Sequence, residues 1–218
     1  MDKMNLIRQR HSVRQYLDKR IEPEKITQIK EKIAEINAKS GLNIQLIESP
    51  ENVFGGFINK LIGWSRVPCG IAICGKTAPD LEEKCGYFGE ELVLFLQEIG
   101  LNTCWVGTFN EKNVKPKLDD GEKVVITIAL GYGANGGSPH KSKTIEKVTN
   151  VSGDMPDWFK NGVEAALLAP TAINQQKFVI SLSDNGIAEI NTSGKGPYIN
   201  VDLGIVKYHF DVGIGKIK

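Results

Sequence analysis

Between Pro23 and Lys39 isoleucines recur at positions 26, 29, 33 and 36, with polar residues between them. Spacings of three, four and three are the period of a helix with one apolar stripe, and Pro23 at the start and Gly41 just past the end mark its limits. From Asn43 to Glu48 the rhythm changes to alternation, Ile44 and Leu46 among polar neighbours, which predicts a strand. Val67 to Cys74 and Val124 to Leu130 are short apolar runs rich in β-branched residues and predict central strands. Between them, Tyr87 to Ile99 sets Leu92, Val93, Leu94, Phe95, Leu96 and Ile99 almost all round a helix, so a central helix buried on most sides is expected.

Gly133 to Pro139 is the stretch richest in turn residues and divides the chain after the third predicted strand. Beyond it, Pro156 to Leu168 reads as a helix, and Lys177 to Ser183 with Ile187 to Ile190 reads as a hairpin around Asp184-Asn185-Gly186. Val201 to Phe210 reads as a last helix. A faint echo, Glu98-Ile99-Gly100-Leu101 against Asp211-Val212-Gly213-Ile214, ends the two apolar helices. The order predicts an α+β fold in two halves, residues 1–145 and 146–218.

With 218 residues, 41% hydrophobic and 24% charged, the chain can bury a sizeable core, which excludes disorder or a collagen-like fibre. Twenty-seven basic and 26 acidic residues leave a net charge of +1, so neither a nucleic acid nor a membrane is expected as partner. The opening residues carry no apolar leader and no run approaches a membrane span, so the expected location is the cytoplasm. Cys69, Cys74, Cys85 and Cys104 are irregularly spaced and predict buried or reduced thiols, with no metal set.

Gly131-Tyr132-Gly133-Ala134-Asn135-Gly136 is a literal G-x-G-x-x-G after a predicted strand. A dinucleotide site needs a helix to open at the third glycine, and Gly137-Ser138-Pro139 stands there instead, so a glycine-rich strand exit is expected. Arg10-His11-Ser12-Val13-Arg14-Gln15-Tyr16, if extended, puts Arg10, Ser12 and Arg14 on one side. That arrangement suits a phosphate or an electron-poor carbonyl edge, the alternative being a solvated basic face. His140-Lys141-Ser142-Lys143 is a second basic cluster or a plain surface loop. Ala169 to Gln176 is a loop of small and polar residues in which backbone and amide groups could approach a planar ligand, or a simple helix-to-strand connection.

Together these segments resemble the flavin mononucleotide (FMN)-dependent nitroreductase family. Arg10-His11-Ser12-Val13-Arg14 is similar to its R-[RH]-S-x-[RK] motif, Ala169 to Gln175 to its A-P-S-x-x-N-x-Q loop, and Gly86 to Asn110 to its long helix followed by G-L-x-x-x-W-x-G. In ordinary members, homodimers with FMN at the subunit interface, the A-P-S-x-x-N loop soon follows the first helix. Here that position reads Asn37-Ala38-Lys39-Ser40-Gly41 and the loop lies in the second half. The chain thus resembles the subgroup in which one polypeptide imitates the dimer.

The resemblance implies a nitroreductase-like fold, a central mainly antiparallel sheet flanked by helices, and an intrachain pseudo-dimer with one complete FMN site formed between the halves and a degenerate second site. By the same resemblance Arg10 and Ser12 hold the FMN phosphate together with Lys141 and Lys143, His11 is cofactor-binding within the same motif, and Arg14 lies near the N1/O2 edge. Thr108, beside Gly107 on the turn Trp105 to Phe109, would direct a backbone N–H at N5. Pro170, Thr171, Ala172 and Asn174 would border the ring or ribityl chain. Many members carry Glu where Gly107 stands.

The implied activity is oxidation of NADH or NADPH with electrons passed through flavin to a nitroaromatic, quinone or similar small acceptor. The internal pairing can leave the chain monomeric. His209 is expected to be structural, and the tryptophans Trp64, Trp105 and Trp158 to serve packing, the alternative being that one of them walls the flavin pocket. Two rivals stand beside this reading: a flavin- or nucleotide-binding protein without turnover, and a nicotinamide-binding protein using Gly131 to Gly136.

Overall fold

The structure is a computed structural model that describes residues 2–48, 54, 67–109, 114–151 and 153–217. It divides into two compact units, one of Arg10–Leu81 with Leu92–Pro139, the other of Met1–Gln9, Glu82–Glu91 and His140–Lys218.

The first unit is built on an antiparallel sheet. Its strands are β1 (Asn43–Ile47), β2 (Cys69–Lys76), β3 (Asn102–Val106) and β4 (Glu122–Gly131), in the order β1-β2-β4-β3. The two continuous apolar runs are therefore central, as their lack of a polar face requires. Ile71 pairs with Ile128 and Ala72 with Thr127 across the middle, with a register shift at Ile73/Cys74. Helix α2 (Pro23–Ser40) buries Ile29, Ile33 and Ile36 and ends at Gly41, whose φ of 70° is the left-handed cap the sequence places there. Val13, Tyr16, Phe54, Ala72, Cys74, Val106, Val114 and Ala129 form one apolar core.

Strand β3 was not expected: the turn predicted over Trp105 to Phe109 begins only at Gly107, because Trp105 and Val106 pair with Ile128 and Thr127 of β4. The glycine-rich division accordingly follows the fourth strand.

The second unit is mainly helical. Short α1 (Lys3–Gln9), residues 82–91 of α3 (Leu81–Glu98), α4 (Asp157–Ala166) and α5 (Ile199–Gly213) accompany the hairpin β5 (Phe178–Leu182) and β6 (Ala188–Thr192). All-round burial, expected for the helix over 87–99, holds there for Leu92, Val93, Leu94 and Leu96 and extends to α5, where Val201 to Val206 and Tyr208 to Phe210 are all buried.

Glycines let the helices meet. A Cβ on Gly86 would collide with the Val201 carbonyl oxygen and lie 3.1 Å from the Ile205 nitrogen; one on Gly204 would collide with the Glu83 carbonyl oxygen and lie 2.6 Å from the Tyr87 nitrogen. Each glycine thus faces the residue three before and the residue one after the other, the pattern of a local two-fold contact. Asn200 Nδ2 donates to Glu82 Oε2 at 3.0 Å one turn earlier on both helices. One turn later Glu90 meets His209, both fully buried, at 2.9 Å.

All four cysteines are free and buried, as expected. Among the described residues no helix is long and apolar enough to cross a membrane. Trp64 lies outside the described residues.

Candidate flavin site

In the helical unit the chain leaves α4 through buried Pro170 and enters a bend of unusual backbone. Ile173, Asn174 and Gln176 have φ of 48°, 55° and 44°, the left-handed region, with no glycine among them. Such a conformation costs an L-residue about 1–2 kcal/mol, and for β-branched Ile173 it is a genuine outlier. Ile173 is also 87% exposed. A strained apolar residue held out in water is the arrangement found where a loop is shaped for a ligand.

Side chains fix this shape. The Ala172 N–H donates to both carboxylate oxygens of Asp202, at 2.9 and 3.1 Å, and Gln175 Nε2 donates to Asp202 Oδ2 at 2.7 Å. The Gln176 N–H donates to Thr171 Oγ1 at 3.1 Å. Buried Gln176 then ties the bend to the basic segment: its Oε1 accepts the Lys143 N–H at 2.8 Å, and its Nε2 donates to the Lys141 carbonyl and to Asn174 Oδ1, both at 2.8 Å. Asn174 Nδ2 donates to the same Lys141 carbonyl at 3.0 Å. The structure therefore brings Lys141, Lys143, Thr171, Ala172 and Asn174 into one network. Lys141 stays exposed, whereas Lys143 donates its ammonium to the Gln176 carbonyl at 2.5 Å and braces the bend. His140 and Ser142 both reach the Leu167 carbonyl at 3.0 Å, anchoring the segment's start.

In the sheet unit Arg10 to Tyr16 runs beside β3. Ser12 bridges Thr103, and the Val13 N–H donates to the Thr103 carbonyl at 3.0 Å. Simple alternation does not hold, because Arg10, Val13 and Tyr16 are buried while Arg14 and Gln15 are exposed. Isolated bridges at Ser12 and at Tyr16 to Gly133 replace a continuous ladder, and the chain turns its side chains between them. Burial raises the Cys104 thiol pKa, and Arg14, the Ser12 hydroxyl and Arg10 oppose that rise. His11 is half-buried, its Cβ 2.9 Å from where a side chain on Gly137 would begin.

Gly131 to Gly136 opens no helix. The segment instead braces the motif: Leu17 N–H donates to the Tyr132 carbonyl at 2.8 Å and Ala134 N–H to the Gln15 carbonyl at 2.9 Å. This removes the helix on which the dinucleotide reading depends. Gly107, half-buried, and Thr108, exposed, follow β3. His209, fully buried between the Ala165 carbonyl and Glu90, serves packing as expected. Trp105 is half-buried, while Trp158 is 38% exposed and packs edge-on against Phe159.

Asp202 and Gln176 were not among the expected site residues. A signal for Asp202 existed: it is an acid between Val201 and Leu203 in an otherwise apolar helix opening. Burial raises its pKa to about 6, against the stabilising hydrogen bonds of Gln175 and the Ala172 amide.

Among solved structures the chain is similar to one from Thermotoga maritima described as a "putative nitroreductase", with 23% identity over 98% of this chain and 83% of the other and a TM-score of 0.69. A "putative NADH dehydrogenase/NAD(P)H nitroreductase" from Parabacteroides distasonis aligns with 18% identity over 68% of this chain and 96% of its own, TM-score 0.53. A nitroreductase family protein from Streptococcus pneumoniae aligns with 13% identity over 69% and 99%, TM-score 0.54. No curated protein matches. The α+β architecture with its antiparallel sheet is the one these structures share, and residues 2–214 match the family described as "Putative TM nitroreductase", to which this chain belongs.

Proposed function

We propose that the chain is an FMN-dependent oxidoreductase that oxidises NADH or NADPH and reduces a nitroaromatic, a quinone or a similar small acceptor. The observation that carries this reading is the Thr171–Gln176 bend, strained, exposed at Ile173 and tied to the Lys141–Lys143 segment at the place where the family motif falls. The donor set suits FMN: guanidinium, hydroxyl and ammonium groups for a phosphate, and a bend of small side chains for a planar ring.

In this reading Arg10, His11 and Ser12 hold the phosphate with Lys141, and Lys143 acts by bracing the bend. Exposed Arg14 places positive charge at the N1/O2 edge, favouring the anionic reduced ring. Thr108 offers its backbone N–H toward N5, and Pro170, Thr171, Ala172 and Asn174 border the ring or ribityl chain. FMN, when bound, supplies the redox chemistry, accepting hydride from nicotinamide and yielding electrons to the acceptor. The name borne by the Parabacteroides protein is in keeping with a nicotinamide donor.

The reciprocal Gly86/Gly204 contact supports the view that one polypeptide imitates a dimer, since a two-fold contact is what two like subunits would make. On that view the chain needs no second copy to complete its site. Steady-state oxidation of NADH and NADPH with a nitroaromatic or quinone tests the activity. Turnover that is lost in Arg10→Ala is expected; flavin binding without turnover would leave a binding protein.

A further inference from the structure

We propose that Asp202 is a positioning residue: from the first turn of α5 its carboxylate holds the Thr171–Gln176 bend in the shape that receives the flavin. The proposal rests on the flavin reading for its purpose but not for its geometry.

The bend carries three left-handed residues without a glycine, so a free segment of this sequence would relax. Asp202 supplies the opposing hold through the Ala172 N–H and Gln175 Nε2, which flank Ile173 and Asn174. Asp202 is 7% exposed. Among the described residues no charged group contributes to its titration; burial dominates, and only Gln175 and the Ala172 amide favour the ionised form. Burying a carboxylate without a counter-charge is costly, and its hydrogen bonds and its position at the start of a helix offset part of that cost.

Protonation weakens the hold. A proton on Oδ2 would face the Gln175 amide N–H and one on Oδ1 would face the Ala172 N–H, so either position sets donor against donor at one of the three hydrogen bonds. Gln175 cannot simply turn its oxygen inward, because Nε2 also donates to the Pro197 carbonyl at 2.9 Å. Its Oε1 lies against Gly196, where an added Cβ would collide with it, so the amide is seated by a glycine.

The test combines amide hydrogen exchange without flavin and FMN titration followed by flavin fluorescence, from pH 5 to 8, on the wild-type chain, Asp202→Asn and Gly196→Ala. Gly196→Ala displaces Gln175 without altering any charge and guards against a folding defect peculiar to Asp202→Asn. At pH 7, Ala172 protection is expected to fall at least ~10-fold in both variants, and FMN affinity by about 10-fold, equivalent to about 1.4 kcal/mol. Without flavin, Ala172 protection, corrected for the intrinsic pH dependence of exchange, should fall in the wild type as pH drops through about 6, and Asp202→Asn should lack that step. Unchanged Ala172 exchange in both variants, or a step in flavin-free Ala172 protection that persists in Asp202→Asn, overturns the proposal. If the wild type binds no FMN while Ala172 protection still collapses in the variants, the flavin reading fails and the hold by Asp202 stands.

Discussion

Gly86 and Gly204 face each other so closely that a methyl group on either would collide with a backbone carbonyl of the opposing helix. A backbone oxygen cannot swing aside as a side-chain tip can. Gly86→Ala and Gly204→Ala are each expected to destabilise the protein by about 3 kcal/mol, the upper range for overpacking. Gly136→Ala, with nothing within 4 Å of the added group, should change stability by less than about 0.5 kcal/mol. Urea unfolding of the three variants checks this.

Glu90 and His209 provide a second prediction. The Ala165 carbonyl is an acceptor, so His209 Nδ1 carries a hydrogen and one further proton lies between Nε2 and Glu90 Oε1. Glu90→Ala leaves a buried polar group without its partner and should cost about 3–5 kcal/mol. Glu90→Gln can donate an amide hydrogen to neutral Nε2 and should cost much less. Equal losses in the two variants would contradict this arrangement.

Asp202 also marks the pH dependence of stability. Its pKa rises from 3.8 to about 6, so the native state binds a proton more tightly than the unfolded chain. The associated stability is fully present below about pH 4 and is lost as pH rises through about 6. Two units correspond to about 3 kcal/mol. The stability of the wild type relative to Asp202→Asn should therefore decline by roughly that amount between pH 4 and 6 and stay level above. Chemical denaturation across the window measures it.

At the surface, Glu22 accepts hydrogen bonds from Tyr132 and Lys19, and these hold its carboxyl down to about 2. Tyr132→Phe removes the larger cause, and NMR titration should find Glu22 moved back toward the ordinary carboxylate range.

Much of the fold was legible because burial leaves periodic marks. The isoleucines of α2 and the unbroken apolar runs of β2 and β4 each had one structural solution. Strand β3 was not legible: Asn102–Val106 mixes polar and apolar residues, and only pairing with β4 defines it. Even alternation over Arg10–Tyr16 requires an extended segment, and its hold at two isolated bridges breaks the period. In the candidate site, residue types carried the resemblance, while the left-handed bend at Ile173 and Asn174 left no mark because no glycine announces it. Asp202 was visible as a misplaced acid, yet its target lies 30 residues away at Ala172, a distance no local pattern spans.

The most direct test of the account is the visible spectrum of the purified protein with added FMN, followed by release and quantification of the flavin. A yellow protein that retains one FMN per chain as a monomer, and loses it in Arg10→Ala, is the predicted result. A colourless protein that takes up no FMN, or one that binds it only as a dimer, would contradict the claim that a single chain supplies the whole site.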